Sequence, residues 1–192
     1  MGRRKEFDEN AVLERAMNLF WERGYTALGL AELLTAMGIS RQSLYDTFGS
    51  KRRLFIRTIE YYRATQLAAA LALLEREGSP LENVKDVMRF FEGLASDSRC
   101  RGCLVANALV EVGPHDEEIA GLLGETLELL RTSIEKALQQ AQQRSELPAG
   151  RSPLELSRAL TNAMVGMAVT GKLRLGAPAL REIYAGTLCL LD

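Results

Sequence analysis

Six side chains between Arg41 and Lys51 have the types and spacing to read nucleic acid: Arg41, Gln42, Ser43, Tyr45, Thr47 and Lys51. An arginine suits guanine and a glutamine suits adenine in the major groove, and each well-made pair discriminates by roughly 1–3 kcal/mol. Tyr45 offers an amphipathic contact to a phosphate, and Lys51, just after Ser50, a cationic one. Arg52 and Arg53 thicken this basic edge, and Arg3, Arg4 and Lys5 could form an arm reaching an adjacent groove or backbone. An exposed Arg or Gln is more often merely solvated, so residue types alone leave a plain polar helix face as the alternative.

These residues need an element that holds them outward, and the flanking sequence supplies it. A short helix over about Leu30 to Met37 is predicted to stop at Gly38, which can take the left-handed conformation. Ser40 suits the N-cap of the next helix. Ile39 before that cap and Leu44 four residues after it make a hydrophobic staple. Leu44 and Phe48 share one face and should anchor the second helix, leaving Arg41, Gln42, Ser43 and Thr47 outward. Two short helices joined by a Gly-containing turn are a helix-turn-helix, whose second helix usually reads bases with its early residues.

Helical periodicity continues through the chain, as in Val12-Leu13-Ala16-Met17-Phe20, Val84-Val87-Met88-Phe91 and Ile119-Leu122-Leu123-Leu127-Leu130. No run of alternating β-branched residues bounded by turns stands out. The reading is all-α: three short helices to Phe48, a long one from Lys51 to about Arg76, and five more. A head over residues 1–50 and a larger helical body over 51–192 follow. Residues 1–63 carry a net charge of +3 and residues 64–192 a net of −4, so the overall −1 hides a mildly basic head on an acidic body. Neither a secretory leader nor a membrane-length apolar run is visible, which places the chain in the cytoplasm.

The opening segment resembles the TetR family of bacterial transcriptional regulators. The resemblance rests on Leu19-Phe20-Trp21-Glu22-Arg23-Gly24-Tyr25, on Met37-Gly38-Ile39-Ser40-Arg41-Gln42-Ser43-Leu44-Tyr45, and on Phe48-Gly49-Ser50-Lys51-Arg52-Arg53-Leu54-Phe55. It implies a three-helix head that binds a palindromic operator, and a divergent body that dimerises and binds a small-molecule effector. It maps Arg41, Gln42, Ser43 and Thr47 to the base-facing side, and Tyr45 and Lys51 to phosphates. Asp46 and Thr47 stand where many members have His or Tyr. An acid near DNA is unhelpful, so Asp46 is expected to pair with a basic residue or point away. Gly29 replaces a Ser or Thr cap common in the family and should loosen the first of the two helices.

In the body, Leu156, Ala159, Ala163, Gly166, Met167 and Thr170 fall near one helical face whose small residues permit close helix packing. With the last helix, Ala179 to Leu190, they suit either a contact within the chain or the four-helix dimer interface that the resemblance implies. The stretch Arg99-Cys100-Arg101-Gly102-Cys103-Leu104 through Asn107 and Glu111 resembles a Gly-Cys-Leu…Asn…Glu pattern of one TetR subgroup. Asn107 and Glu111, four apart, could present polar groups to an effector cavity, with Met88, Phe91, Met164 and Met167 as adaptable apolar lining. Core packing plus one surface acid is the alternative for each.

Cys100 and Cys103 form a Cys-x-x-Cys, with His115 downstream. Zinc would need a fourth ligand that the sequence does not offer. A thiol switch, favoured by Arg99 and Arg101 beside Cys100, and an inert pair at a helix start both remain open. No metal or cofactor is expected. The single histidine lies beside Pro114 and Asp116 with no nucleophile motif around it, and no phosphate-cradling Gly-rich loop is present, so no enzyme is expected either. The resulting expectation is a repressor released from its operator when an effector enters the body and the helix from Lys51 shifts the head.

Overall fold

The computed structural model describes residues 7–95, 101–173 and 177–192. Three helices open the chain: α1 (Glu9–Arg23), α2 (Leu30–Met37) and α3 (Arg41–Phe48). Then come α4 (Lys51–Tyr62), a π-helical turn (Arg63–Leu67) and α5 (Ala68–Leu74), followed by α6 (Pro80–Ala95) and α7 (Leu104–Glu111). The long α8 (Glu117–Gln143), α9 (Pro153–Thr170) and α10 (Ala177–Leu188) complete the order. Among the described residues there is no strand.

The helix starts follow from local chemistry. Asp8, Ser40, Ser50, Asp116 and Ser152 each accept a backbone N–H of the first turn they precede, which satisfies donors that the helix leaves unpaired. Gly29 gives α2 no such bond. Gly38 ends α2 in the left-handed region, at φ 69° and ψ 32°, with its N–H bonded back to Leu34 and Thr35.

Two apolar cores result. The first joins α1 to α4 with Cys103, α7, the start of α8 and Ala168. The second joins α5, α6, the rest of α8, α9 and α10. The first core thus ties the three-helix head to α4 and α7, with Phe20, Phe55 and Tyr25 in contact inside it.

The long helix differs from its expected form at one place. Its buried residues run Leu54, Phe55, Ile59, Tyr62 and then Leu67, Ala70, Leu74. The step from Tyr62 to Leu67 is five residues, where a regular helix would return to the same face after three or four. The π turn absorbs that extra residue, and Thr65 Oγ1 donates to the Tyr61 carbonyl at 2.8 Å within it. The helix therefore keeps its buried face in phase across the turn, meeting the first core before it and the second core after it.

Candidate nucleic-acid interface

On α3, Leu44 and Phe48 are buried in the first core, with Ile39 packed against that core from the side. Arg41, Gln42, Tyr45 and Asp46 are exposed, while Ser43 and Thr47 are half-buried. Tyr45 is 45% exposed, unusual for so large a ring with nothing over it. Asp46 accepts from Gln42 Nε2 at 2.7 Å, so its partner is a neutral amide and not the expected base. Ser43 lies with its hydroxyl 2.9 Å from that of Ser40, inside the cap. Arg3, Arg4 and Lys5 lie outside the described residues.

Lys51 is less free than its sequence position suggests. Its Nζ donates to the Tyr25 carbonyl at 2.7 Å and stands 4.5 Å from the centroid of the Tyr25 ring. Burial lowers its pKa, opposed by the field of Glu111. An ammonium has three donors, so this anchor leaves two for another acceptor.

Beneath this edge the head is fastened to the body by polar bonds to backbone and to side chains. Glu111, on α7, accepts the amides of Tyr25 at 3.0 Å and Thr26 at 2.7 Å. Burial pushes its pKa up, but these amides outweigh it and hold the carboxyl below its ordinary value. Trp21 Nε1 donates to the Gly102 carbonyl at 3.0 Å, and the Arg101 guanidinium lies 4.2 Å over the Trp21 ring. Asn107 Nδ2 donates to the Arg101 carbonyl at 2.9 Å. Arg52 grips Asp116 through two bonds, 2.7 and 2.8 Å, and reaches Glu118 at 2.6 Å. Hydrogen bonding to Arg52 holds the Asp116 carboxyl down to about 2.

Gly102 explains why a glycine precedes Cys103. Its φ is +63°, and a Cβ there would sit 2.3 Å from the carbonyl oxygen of Ala168 on α9. Cys103 is buried, its Sγ 3.4 Å from the hydroxyl of Tyr62. Cys100 lies outside the described residues. Among the described residues no group of three or more His, Cys, Asp or Glu could hold a metal ion.

The residues expected to line an effector chamber are scattered. Phe91 and Met164 line a small cavity at the boundary of the two cores. Met88 and Met167 are buried elsewhere in the second core. Asn107 and Glu111 are engaged at the head–body seam, where they share with Trp21 and Lys172 an open hollow outside that cavity. Of the residues expected at a dimer interface, Ala159 and Gly166 are exposed and Ala163 and Thr170 half-buried, whereas Leu156 and Met167 face the chain's own core. Exposed Leu154 and Val169 lie on α9, Ile183 on α10 and Leu190 in the turn that follows α10. The periodicity of α9 did not reveal these. The missed functional candidates of the seam, Trp21 and Tyr62, carried one sequence signal, the five-residue step after Tyr62.

Comparison with known proteins bears on all of this. Residues 12–58 match the model of bacterial regulatory proteins of the tetR family, and residues 80–185 match a tetracyclin repressor-like C-terminal domain. The chain is 34% identical over 196 residues to the HTH-type transcriptional regulator YezE of Bacillus subtilis (strain 168), covering 100% of both. It is 30% identical to the HTH-type transcriptional repressor ComR of Escherichia coli (strain K12), covering 98% of this chain and 91% of that one. Among solved structures, a cysteine mutant of the TetR family regulator CifR, complexed with 26bp double-strand operator DNA, superposes with a TM-score of 0.88 at 28% identity over 100% of both chains.

Proposed function

The chain belongs to the TetR family as a DNA-binding transcriptional regulator, and from that premise we propose that it is a homodimeric repressor released from a palindromic operator by a small-molecule effector. One observation carries the DNA reading: Arg41, Gln42 and Tyr45 stand exposed on α3, a helix anchored from behind by Leu44 and Phe48. CifR, similar over its whole length, is complexed with operator DNA, and ComR is a repressor. In this reading Arg41, Gln42, Ser43 and Thr47 face bases and Tyr45 faces a phosphate. Lys51 adds a second phosphate contact with the donors that Tyr25 leaves over. Dimerisation uses α9 and α10, where exposed Leu154, Val169 and Ile183 accompany Ala159 and Gly166; large apolar groups beside small ones suit close helix packing between subunits. The regulator acts in the cytoplasm. Among the described residues no helix is long and apolar enough to cross a membrane.

The test is an anisotropy titration against DNA from immediately upstream of the protein's own gene, at several salt concentrations. Palindrome-dependent binding that weakens with salt is expected. Lys51→Ala is expected to weaken binding to all sequences and to lower the salt slope by about one. An unchanged slope with a lower melting temperature would make Lys51 a structural anchor of Tyr25 alone.

A further inference from the structure

The cavity at the boundary of the two cores has a volume of about 20 Å³, room for one water. Its walls come from both sides: Tyr62, Cys103 and Val105 from the first core, and Leu67, Phe91 and Met164 from the second. Among the described residues no charged side chain lines it. Its polar atoms can be followed one by one. Thr126 Oγ1 donates to the Leu122 carbonyl at 2.6 Å, and the Tyr62 hydroxyl is paired with Cys103 Sγ. Thr161 differs. The residue is only 9% exposed, its hydroxyl is sealed from solvent, and that hydroxyl has no hydrogen-bond partner among the described residues. A buried hydroxyl without a partner is costly, and a bound molecule that supplies one removes the cost.

We propose that this cavity takes a small, uncharged, largely apolar effector with one hydrogen-bond acceptor, held by the Thr161 hydroxyl. The proposal rests on the reading of the chain as an effector-released repressor. A charged molecule would lose its hydration against walls that offer no counter-charge. A molecule larger than one water must press the walls apart, and those walls belong to different cores. Binding therefore acts on the joint between head and body, through Tyr62 at the end of α4 and Leu67 at the end of the π turn. Met164, unbranched and rotatable, is the wall best able to give way.

A way in is also visible. A groove of about 290 Å³ runs between α8 and α9, rimmed by Gly124, Glu128, Arg131, Arg158 and Asn162. Leu127, Thr161 and Val165 line both this groove and the cavity. Those three side chains border both spaces, so a side-chain movement there would open the cavity to the groove.

The test uses methyl-labelled full-length protein and three probes: cyclohexanone, methylcyclohexane and cyclohexanecarboxylate. Cyclohexanone is expected to shift the methyl resonances of Thr161, Val105, Val165 and Leu130 saturably and to weaken operator binding. Methylcyclohexane should bind more weakly, and the carboxylate should leave these methyls unmoved. Thr161→Val, equal in shape and without the hydroxyl, should fold as well as the natural chain and bind cyclohexanone about five-fold more weakly, the loss of one neutral hydrogen bond. Equal binding of the carboxylate, or an unchanged affinity in Thr161→Val, overturns the proposal. So do cavity methyls that no neutral probe moves, an outcome that makes the cavity a water site. Operator binding without probe is measured on the same samples. Its absence strikes the repressor reading, whereas intact operator binding with silent cavity methyls strikes the effector assignment alone.

Discussion

On α3 the outward side chains Arg41, Gln42 and Tyr45 reach solvent, and Gln42 bonds to Asp46, a neighbour on the same helix. Around α7 the polar groups end instead on main chain: Glu111 on two amides, Trp21 on the Gly102 carbonyl, Asn107 on the Arg101 carbonyl. A bond to backbone depends on where the chain runs and is indifferent to which side chain sits there. The seam is thus specified by shape, and the reading edge by replaceable chemistry. Such a division lets the operator sequence drift through α3 while the joint that must move stays the same.

Changes at the seam should therefore cost stability, and changes at the edge should cost sequence preference. The largest effect is expected from Gly102→Ala. With φ positive and Ala168 in the way, the variant should lose about 3 kcal/mol in thermal or urea unfolding, the scale of a strained backbone site. A loss within about 0.5 kcal/mol, the range of an ordinary surface change, would mean that α9 yields at Ala168 without strain. Arg41→Ala comes next. It should lose roughly 1–3 kcal/mol of discrimination at one operator position while its melting temperature stays put, as read by binding to a set of single-base operator variants. A uniform loss across all variants would move Arg41 from bases to phosphates.

The smallest effect is in acid. The folded pKa of Asp116 lies at about 2, below its ordinary 3.8. A depressed carboxylate contributes stability above the unfolded value and loses that contribution as pH falls towards the folded one. Between about pH 4 and pH 2 the Arg52–Asp116 tie should fade, so melting temperature should fall less steeply in Arg52→Gln than in the natural chain. Equal slopes would show that the tie adds no stability.

Much of the head was legible because its signals are local. Gly38, Ser40 and Ser50 act within one turn of where they stand, and Leu44 and Phe48 bury by simple spacing. The all-helical body was legible for the same reason. The seam was not, because Trp21 meets Gly102 and Tyr25 meets Glu111 across more than eighty residues. Periodicity marks Met88 and Met164 alike as buried, yet only Met164 borders the cavity. Spacing placed Asn107 and Glu111 on one face of a helix but did not reveal that the face meets the head.

The π turn has a consequence for how this chain can change over time. One residue of a helix subtends about 100°. Deleting one residue between Arg63 and Gln66 would close the turn into a regular helix and leave Leu67, Ala70 and Leu74 facing the second core, because Tyr62 and Leu67 would then stand four apart. Elsewhere in the helix the same loss would swing every later apolar position by that angle. The turn thus holds one spare residue inside a helix, and single-residue changes of length should collect there as well as in the connections after α5 and α8.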